Sequence, residues 1–397
     1  MSAPPASAAS ETASKLLRGA VEALPEGRLE RQLAEGRPLR VKLGIDPTAP
    51  DIHLGHVVVL NKLRAFQDAG HVVVLIVGDY TARVGDPSGR SGERPVLSGE
   101  EIDANAQTFQ DQAFKILDRD RTEVRRNGEW LEMSSEKLFD LVRRFTVARL
   151  LEREDFSRRM EAGEPVSGLE LLYPILQGYD SVSVQADVEL GGTDQKFNLL
   201  FARDVQEALG QTPQSILTVP ILPGTDGVRR MSKSLGNYVG VTDPPEEMFG
   251  KLMSIPDEVM GQYYLLLLDE QLDTGRHPRE AKRELASRLV AWFWDEKAAE
   301  AAEARFEQVH VLHEVPEGIE VVAVEGENGS VHLPAVLAEH FGLSRSEGRR
   351  LLEQGGVRLD GDVVAADRLD LPVEELDGKV LQVGRRRFVR LQAGEPG

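Results

Sequence analysis

His53-Leu54-Gly55-His56 and Arg230-Met231-Ser232-Lys233-Ser234 are the two stretches whose residue types and spacing suit phosphate chemistry. The histidines fall at i and i+3, on one face of a helix that begins there, where unpaired backbone N–H groups and the helix dipole favour an anion. Gly55 presents no side chain, so ATP can approach the helix start with both imidazoles near its phosphates. Taken alone, the tetrad equally suits two capping or surface histidines. The pentad combines cations and hydroxyls on a loop that follows Gly224, Gly227 and Arg229, and such a loop can close on pyrophosphate. Alone, it would read as a basic surface turn.

A third constellation lies between them. Tyr173, Gln177 and Asp180 stand at i, i+4 and i+7, which puts them on one helix face where their polar atoms can converge on a zwitterion and a hydroxyl. A face that should be buried needs partners for its polar groups, and a ligand is the economical one. Asp86, within Gly85-Asp86-Pro87-Ser88-Gly89, suits either ligand contact or a turn-forming Asp before proline.

The elements that must hold these residues follow from periodicity. Leu39 to Ile45 reads as a strand ended by Asp46-Pro47-Thr48-Ala49-Pro50, because two prolines stop both ladder and helix. A helix from Leu54 to the stop at Gly70 and a β-branched strand at Val72 to Val77 complete a βαβ unit, which opens a Rossmann-like parallel sheet. Helices are expected near Lys15 to Leu24, within Glu136 to Glu161, around Leu171 to Asp180 and at Lys196 to Leu209, with a strand at Val182 to Val188. Pro245 to about His310 is helical throughout. The expected organisation is therefore α/β: a tail at 1–14, a Rossmann-like domain at 15–240, an all-α domain at 241–312, a linker at 313–330 and a small α+β domain at 331–392.

Composition narrows the function. The 397 residues are 41% hydrophobic and 28% charged, as in ordinary globular chains, and 47 Lys+Arg against 66 Asp+Glu give a net charge of -19. That charge disfavours indiscriminate DNA or anionic-membrane binding, so any polyanion site must be local. With no cysteine, disulfides, thiolate metal sites and cysteine nucleophiles are excluded. Val72 to Val77 is far shorter than the ~20 residues a membrane helix needs, and Met1 to Ser14 has no apolar targeting core. A cytoplasmic protein is expected. The last unit is neutral, with ten cations against ten acids from Val331 to Leu391.

The His-x-Gly-His tetrad after the first strand and the Lys-Met-Ser-Lys-Ser-like loop after the last resemble, in that order, the class I aminoacyl-tRNA synthetases. Tyr173-Pro174-Ile175-Leu176-Gln177-Gly178-Tyr179-Asp180, Gly191-Gly192-Thr193-Asp194-Gln195 and the Gly85–Gly89 loop are similar to the amino-acid pocket of the tyrosyl branch. The resemblance implies tyrosine activation by ATP and transfer to tRNA. It implies that Asp86, Tyr173 and Gln177 hold the substrate ammonium, that Asp46 and Gln195 line the site, and that Asp180 accepts the phenol hydrogen. Thr48, His53, Gly55, His56, Asp194 and the loop residues Arg230, Met231, Ser232, Lys233 and Ser234 would face ATP, with His53, His56, Arg230 and Lys233 as catalytic cations or donors. Arg90 and Arg94 would reach phosphate or remain solvated loop cations.

Two positions depart from the family pattern. Lys42 stands where many tyrosyl enzymes have a tyrosine on the phenol, so recognition rests on Asp180 alone or on Lys42 with Asp180; Arg230 replaces the first lysine of the loop. The 331–392 unit resembles an S4-like RNA-binding fold, which implies tRNA contacts by Arg345, Arg349, Arg350, Arg385, Arg386 and Arg387. Mg2+ is expected with ATP, with no protein-bound metal site, and a homodimer is expected from the family. A tryptophanyl enzyme, a small nucleotidyltransferase and a catalytically silent RNA-binding regulator are the rival readings.

Overall fold

A computed structural model describes residues 6–47, 51–86, 98–308, 319–324, 326, 329–384 and 387–393. Thr48, Arg90, Arg94, Arg385 and Arg386 lie outside them. The chain divides into two compact units, Met1–Phe293 and Trp294–Gly397.

The first unit is built on a six-stranded sheet: β1 (Glu22–Leu24), β2 (Arg40–Ile45), β3 (Val72–Val77), β4 (Thr122–Arg126), β5 (Val188–Gly192) and β6 (Ser215–Val219), in the order β1-β6-β5-β2-β3-β4. Only β1 is antiparallel to its neighbour. The sequence advances from β2 through β3 to β4 and then returns to the other side of β2 with β5. That reversal opens a crevice beyond the carboxyl ends of β2 and β5, the place where open parallel sheets bind ligands. β3 is buried along nearly its whole length, as expected for a strand covered on both faces.

Several expectations change. Residues 1–14 were expected as a tail, yet Ala6–Leu17 is a helix; Ala9, Ala13 and Leu16 fall on one face and are buried, so an alanine-rich stretch with high helix propensity docks rather than frays. The helix expected from Lys15 to Leu24 ends at Leu17, and β1 follows it. Of the strand expected at 182–188, only Val188 is extended into a strand. The Gly168–Ser183 helix runs through its start, Gln185 takes a left-handed φ of 52° after it, and β5 begins only at Val188. The β-like alternation there is overridden because Asp180 and Ser181 are held in the interior. Within 136–161 the helical segments are three short ones, Ser135–Val142, Val147–Leu150 and Glu154–Glu161.

The division between units differs from the expected domain boundaries. The helices Pro245–Met253, Met260–Leu268 and Pro278–Phe293 belong to the same unit as the sheet. Tyr263 shows why: its hydroxyl donates to the Pro223 carbonyl at 2.8 Å, and Asn61 donates to the Leu267 carbonyl at 3.0 Å. The second unit holds the Glu296–Glu307 helix and a five-stranded sheet that includes Val321–Val324. Those four residues fall in the expected linker, but Val322 and Val324 point inward and join a core with Leu337, Leu352 and Leu381.

Candidate active site

A cavity of about 270 Å³ opens in the crevice. Asp46, His56, Asp86, Tyr173, Gln177, Asp180, Asp194 and Gln195 all line it, although they span nearly 150 residues of sequence. Lys42 does not line it.

One side of the cavity is carried by the Gly168–Ser183 helix. Ser167 and Glu170 cap it reciprocally, and Gly178 lets it press on the Lys196–Ala208 helix, since a Cβ there would lie 2.5 Å from Val205 Cγ2. Tyr173 donates its hydroxyl to Asp46 Oδ2 at 3.0 Å, and Asp46 Oδ1 accepts from Thr81 at 2.6 Å. Gly78 is required beside this pair, because any Cβ would overlap the Asp46 carboxylate. A relay orients Asp86. Arg153 donates to Asn198 Oδ1 at 3.0 Å, Asn198 to Gln195 Oε1 at 3.1 Å, and Gln195 to Asp86 Oδ2 at 2.8 Å.

Asp180 is 3% exposed. Trp130 Nε1 donates to its Oδ1 at 2.8 Å and Asn127 Nδ2 to its Oδ2 at 3.3 Å. Burial pushes its pKa up to about 6 despite the Lys42 ammonium and these two donors, all of which favour the carboxylate. Lys42 itself makes no direct bond to Asp180 in this arrangement: its three N–H donors go to Gln177 O at 3.0 Å, Ser181 Oγ at 2.8 Å and Glu189 Oε1 at 2.8 Å. Of the two expected arrangements, Asp180 alone or Lys42 with Asp180, this geometry has Lys42 bonded to Gln177, Ser181 and Glu189.

The two signature stretches are tied to each other by backbone. Leu54 N donates to Val239 O at 2.9 Å and Val241 N to Ile52 O at 3.0 Å, so the start of the Leu54–Asp68 helix is laced to the segment that follows the Arg230–Ser234 loop. The His53 and His56 rings stack with centroids 3.9 Å apart. Gly55 is again needed, since a Cβ would sit 3.0 Å from the His53 ring. Burial lowers the pKa of His53 to about 2, helped by His56 and Lys233, and that of His56 to about 4, helped by Lys233. Both imidazoles are thus neutral donors near neutral pH rather than cations. His53 Nδ1 is buried without a partner.

The loop cations rest on acids. Lys233 contacts Asp51, and Arg230 lies 3.5 Å from Asp194. Asn237 shapes the loop, donating to Arg230 O at 3.1 Å and accepting from Ser232 N at 2.9 Å. Met231 is buried and Ser232 and Ser234 bond each other at 2.9 Å. Among the described residues no group of three His, Asp or Glu could hold a metal ion, and no helix is long and apolar enough to cross a membrane.

In the second unit, Arg345, Arg349 and Arg350 are exposed on the Arg345–Glu353 helix, which Ser344 and Glu347 cap. Gly348 brings that helix close to Leu337, with 3.3 Å available to a Cβ. Arg387 instead donates to Phe341 O at 3.0 Å.

Sequence reading missed Asn127, Trp130, Thr81, Asp51, Asn237 and Glu189. Only Glu189 and its partner left a signal: each is a charge flanked by apolar residues within a strand, Val41-Lys42-Leu43 and Val188-Glu189-Leu190, and the two strands are neighbours.

The sequence profile of the tRNA synthetases class I (W and Y) matches residues 34–311. The chain is 48% identical over 394 residues to a tyrosine–tRNA ligase of Moorella thermoacetica, covering 95% of this chain and 94% of that protein. Against the Bordetella pertussis tyrosine–tRNA ligase it is 50% identical over 390 residues, covering 94% of each. A C-terminally truncated mitochondrial tyrosyl-tRNA synthetase of Aspergillus nidulans shares the fold, with a TM-score of 0.63 at 22% identity over 76% of this chain and 97% of that one. The Archaeoglobus fulgidus tyrosyl-tRNA synthetase complexed with L-tyrosine gives 0.59 at 25% identity over 74% and 99%.

Proposed function

The chain belongs to the class I tRNA synthetases of the tryptophan and tyrosine group, and from that premise we infer a tyrosine–tRNA ligase that makes tyrosyl adenylate and passes the tyrosyl group to the 3' end of tRNA. The observation that carries the tyrosine reading is Asp180, a buried carboxylate at the cavity, held by Trp130 and Asn127 so that it can accept a phenol hydrogen. Tyr173, Gln177 and Asp86 supply acceptors for the ammonium, with Asp46 and Gln195 fixing Tyr173 and Asp86.

A carboxylate oxygen of tyrosine attacks the α-phosphorus of ATP, the bond to the bridging oxygen breaks, and pyrophosphate leaves. A terminal ribose hydroxyl of tRNA then attacks the tyrosyl carbonyl and AMP leaves with the electrons of the acyl–oxygen bond. His53 and His56 act as neutral N–H donors toward the phosphates. Lys233 and Arg230 exchange Asp51 and Asp194 for phosphate oxygens, which stabilises charge that develops as the leaving group departs. Gly55, Asp194, Met231, Ser232 and Ser234 complete the nucleotide side, with Thr48, Arg90 and Arg94 as further contacts. Mg2+ enters with ATP as part of the substrate.

Arg345, Arg349, Arg350 and Arg385 to Arg387 are the tRNA contacts of an S4-like RNA-binding unit, and the helices between the sheet and that unit serve the anticodon. The enzyme works in the cytoplasm as a homodimer, for which the exposed Phe139, Val147, Met160 and Leu169 offer apolar surface. Amino-acid-dependent ATP–pyrophosphate exchange across all twenty amino acids tests the reading: exchange with tyrosine alone is expected, and exchange with tryptophan, or with none, overturns it. Replacing Arg345, Arg349 and Arg350 by Ala should leave that exchange intact. It should also flatten the salt dependence of tRNA binding, by about 0.7–0.9 in slope for each phosphate that one of these arginines neutralises.

A further inference from the structure

We propose that Glu189, paired with Lys42, is a positioning residue that determines which end of the Gln177 amide faces the substrate ammonium. The pair lies on adjacent parallel strands in direct register, and its side chains are 1% and 0% exposed. Glu189 gathers four donors: Lys42 at 2.8 Å and Gln177 Nε2 at 3.1 Å on Oε1, and Ser181 at 3.0 Å and Gln214 on Oε2. A carboxylate only accepts, so just the NH2 end of the Gln177 amide can turn toward it. The carbonyl end is then committed to the cavity, which Gln177 and Glu189 both line.

The alternative orientation would set an NH2 group against the ligand's ammonium, a repulsion of like dipole and charge. The two ends of a glutamine amide are nearly identical in shape, so packing cannot choose between them; the hydrogen-bond network must. Lys42 makes the arrangement tolerable. Its ammonium balances the buried carboxylate, and its remaining donors fasten Gln177 O and Ser181 Oγ on the same helix. An unpaired charge at this depth would be strongly destabilising.

The inference rests on the reading of Gln177 as an ammonium acceptor, and the test separates the two. Dissociation constants are measured for tyrosine, for tyramine, which keeps the ammonium, and for 3-(4-hydroxyphenyl)propanoate, which lacks it. The charge-neutral pair Lys42→Met with Glu189→Gln offers Gln177 both a donor and an acceptor and so frees its orientation, whereas in Glu189→Gln alone the Lys42 ammonium, which only donates, keeps the new amide's oxygen toward Gln177. Tyrosine and tyramine should bind about 10- to 100-fold more weakly, the range for a hydrogen bond to a charged group, while the propanoate changes less than twofold. The pair Lys42→Met with Glu189→Leu, which offers Gln177 neither donor nor acceptor, serves if the first pair does not fold. Equal weakening of all three ligands, or none, overturns the proposal. Gln177→Ala is the control: if it also fails to separate the ligands, the ammonium reading falls, whereas a selective Gln177→Ala beside an unselective position 189 removes only the positioning role.

Discussion

At the phenol end of the cavity every charged side chain described has partners inside the fold: Asp180 holds Trp130 and Asn127, and Glu189 holds Lys42, Gln177, Ser181 and Gln214. At the phosphate end the stacked histidines leave His53 Nδ1 unpartnered, and Lys233 and Arg230 sit against acids that are 34% and 31% exposed. On the proposed reading of the site, the difference follows from the ligands. A phenol and an ammonium are small and must be told from close analogues, which needs acceptors fixed in advance. A triphosphate brings its own charge, so cations parked on partly exposed carboxylates can exchange them for phosphate oxygens, because ion pairs in contact with solvent are worth little.

The largest expected effect sharpens this contrast from the phosphate side. His53→Ala and His56→Ala should each slow adenylate formation by about 10²–10³, the usual result of removing one preorganised donor at developing charge. Tyrosine affinity should scarcely change. Single-turnover formation of the adenylate, with tyrosine binding measured separately, checks both; losses confined to binding would make the histidines structural and erase the distinction between the ends.

Asp180→Ala probes the other end and should cost about 10- to 100-fold in tyrosine affinity, as expected for a hydrogen bond to a charged group. Phenylalanine affinity should stay the same or improve. An unchanged preference for tyrosine over phenylalanine would show that another group reads the hydroxyl.

How much of this is legible in the sequence depends on what sets each residue. The His53–His56 and Arg230–Ser234 stretches and the Tyr173–Gln177–Asp180 face stand out as candidates because local spacing marks them, and the βαβ unit because its periods are strong. Asn127 and Trp130 reach Asp180 from beyond β4, some 50 residues earlier, and no local pattern announces that. Lys42 can be singled out in its strand, but its partner Glu189 on the neighbouring strand is identified only once the two strands are paired. The early helix escapes notice because an Ala/Ser/Pro tract shows its helical face only when something packs on it. Local rules carry the elements, while partnerships across the sheet need the fold.

The smallest effect concerns pH, where the two ends should act in opposite directions. Burial favours the neutral form in both, but neutral means protonated for a carboxyl and deprotonated for an imidazole. His56 has a pKa near 4 in the fold against an ordinary 6.5. The unfolded chain therefore binds more protons between those values, so this residue's contribution to stability is present above pH 6.5 and is lost as pH falls toward 4, by about 2 kcal/mol at pH 5. Asp180 runs from an ordinary 3.8 to about 6 in the fold. Here the folded chain binds more protons, and acidification from pH 7 to 5 returns about 1 kcal/mol. In urea unfolding followed through tryptophan fluorescence, with Trp130 beside Asp180 as one reporter, His56→Asn should be less destabilised by a shift from pH 7.5 to 5 than the parent chain, and Asp180→Asn more so. If both variants kept the parent's pH slope, neither group would be held neutral by burial, and the opposition between the two ends would have to come from geometry alone.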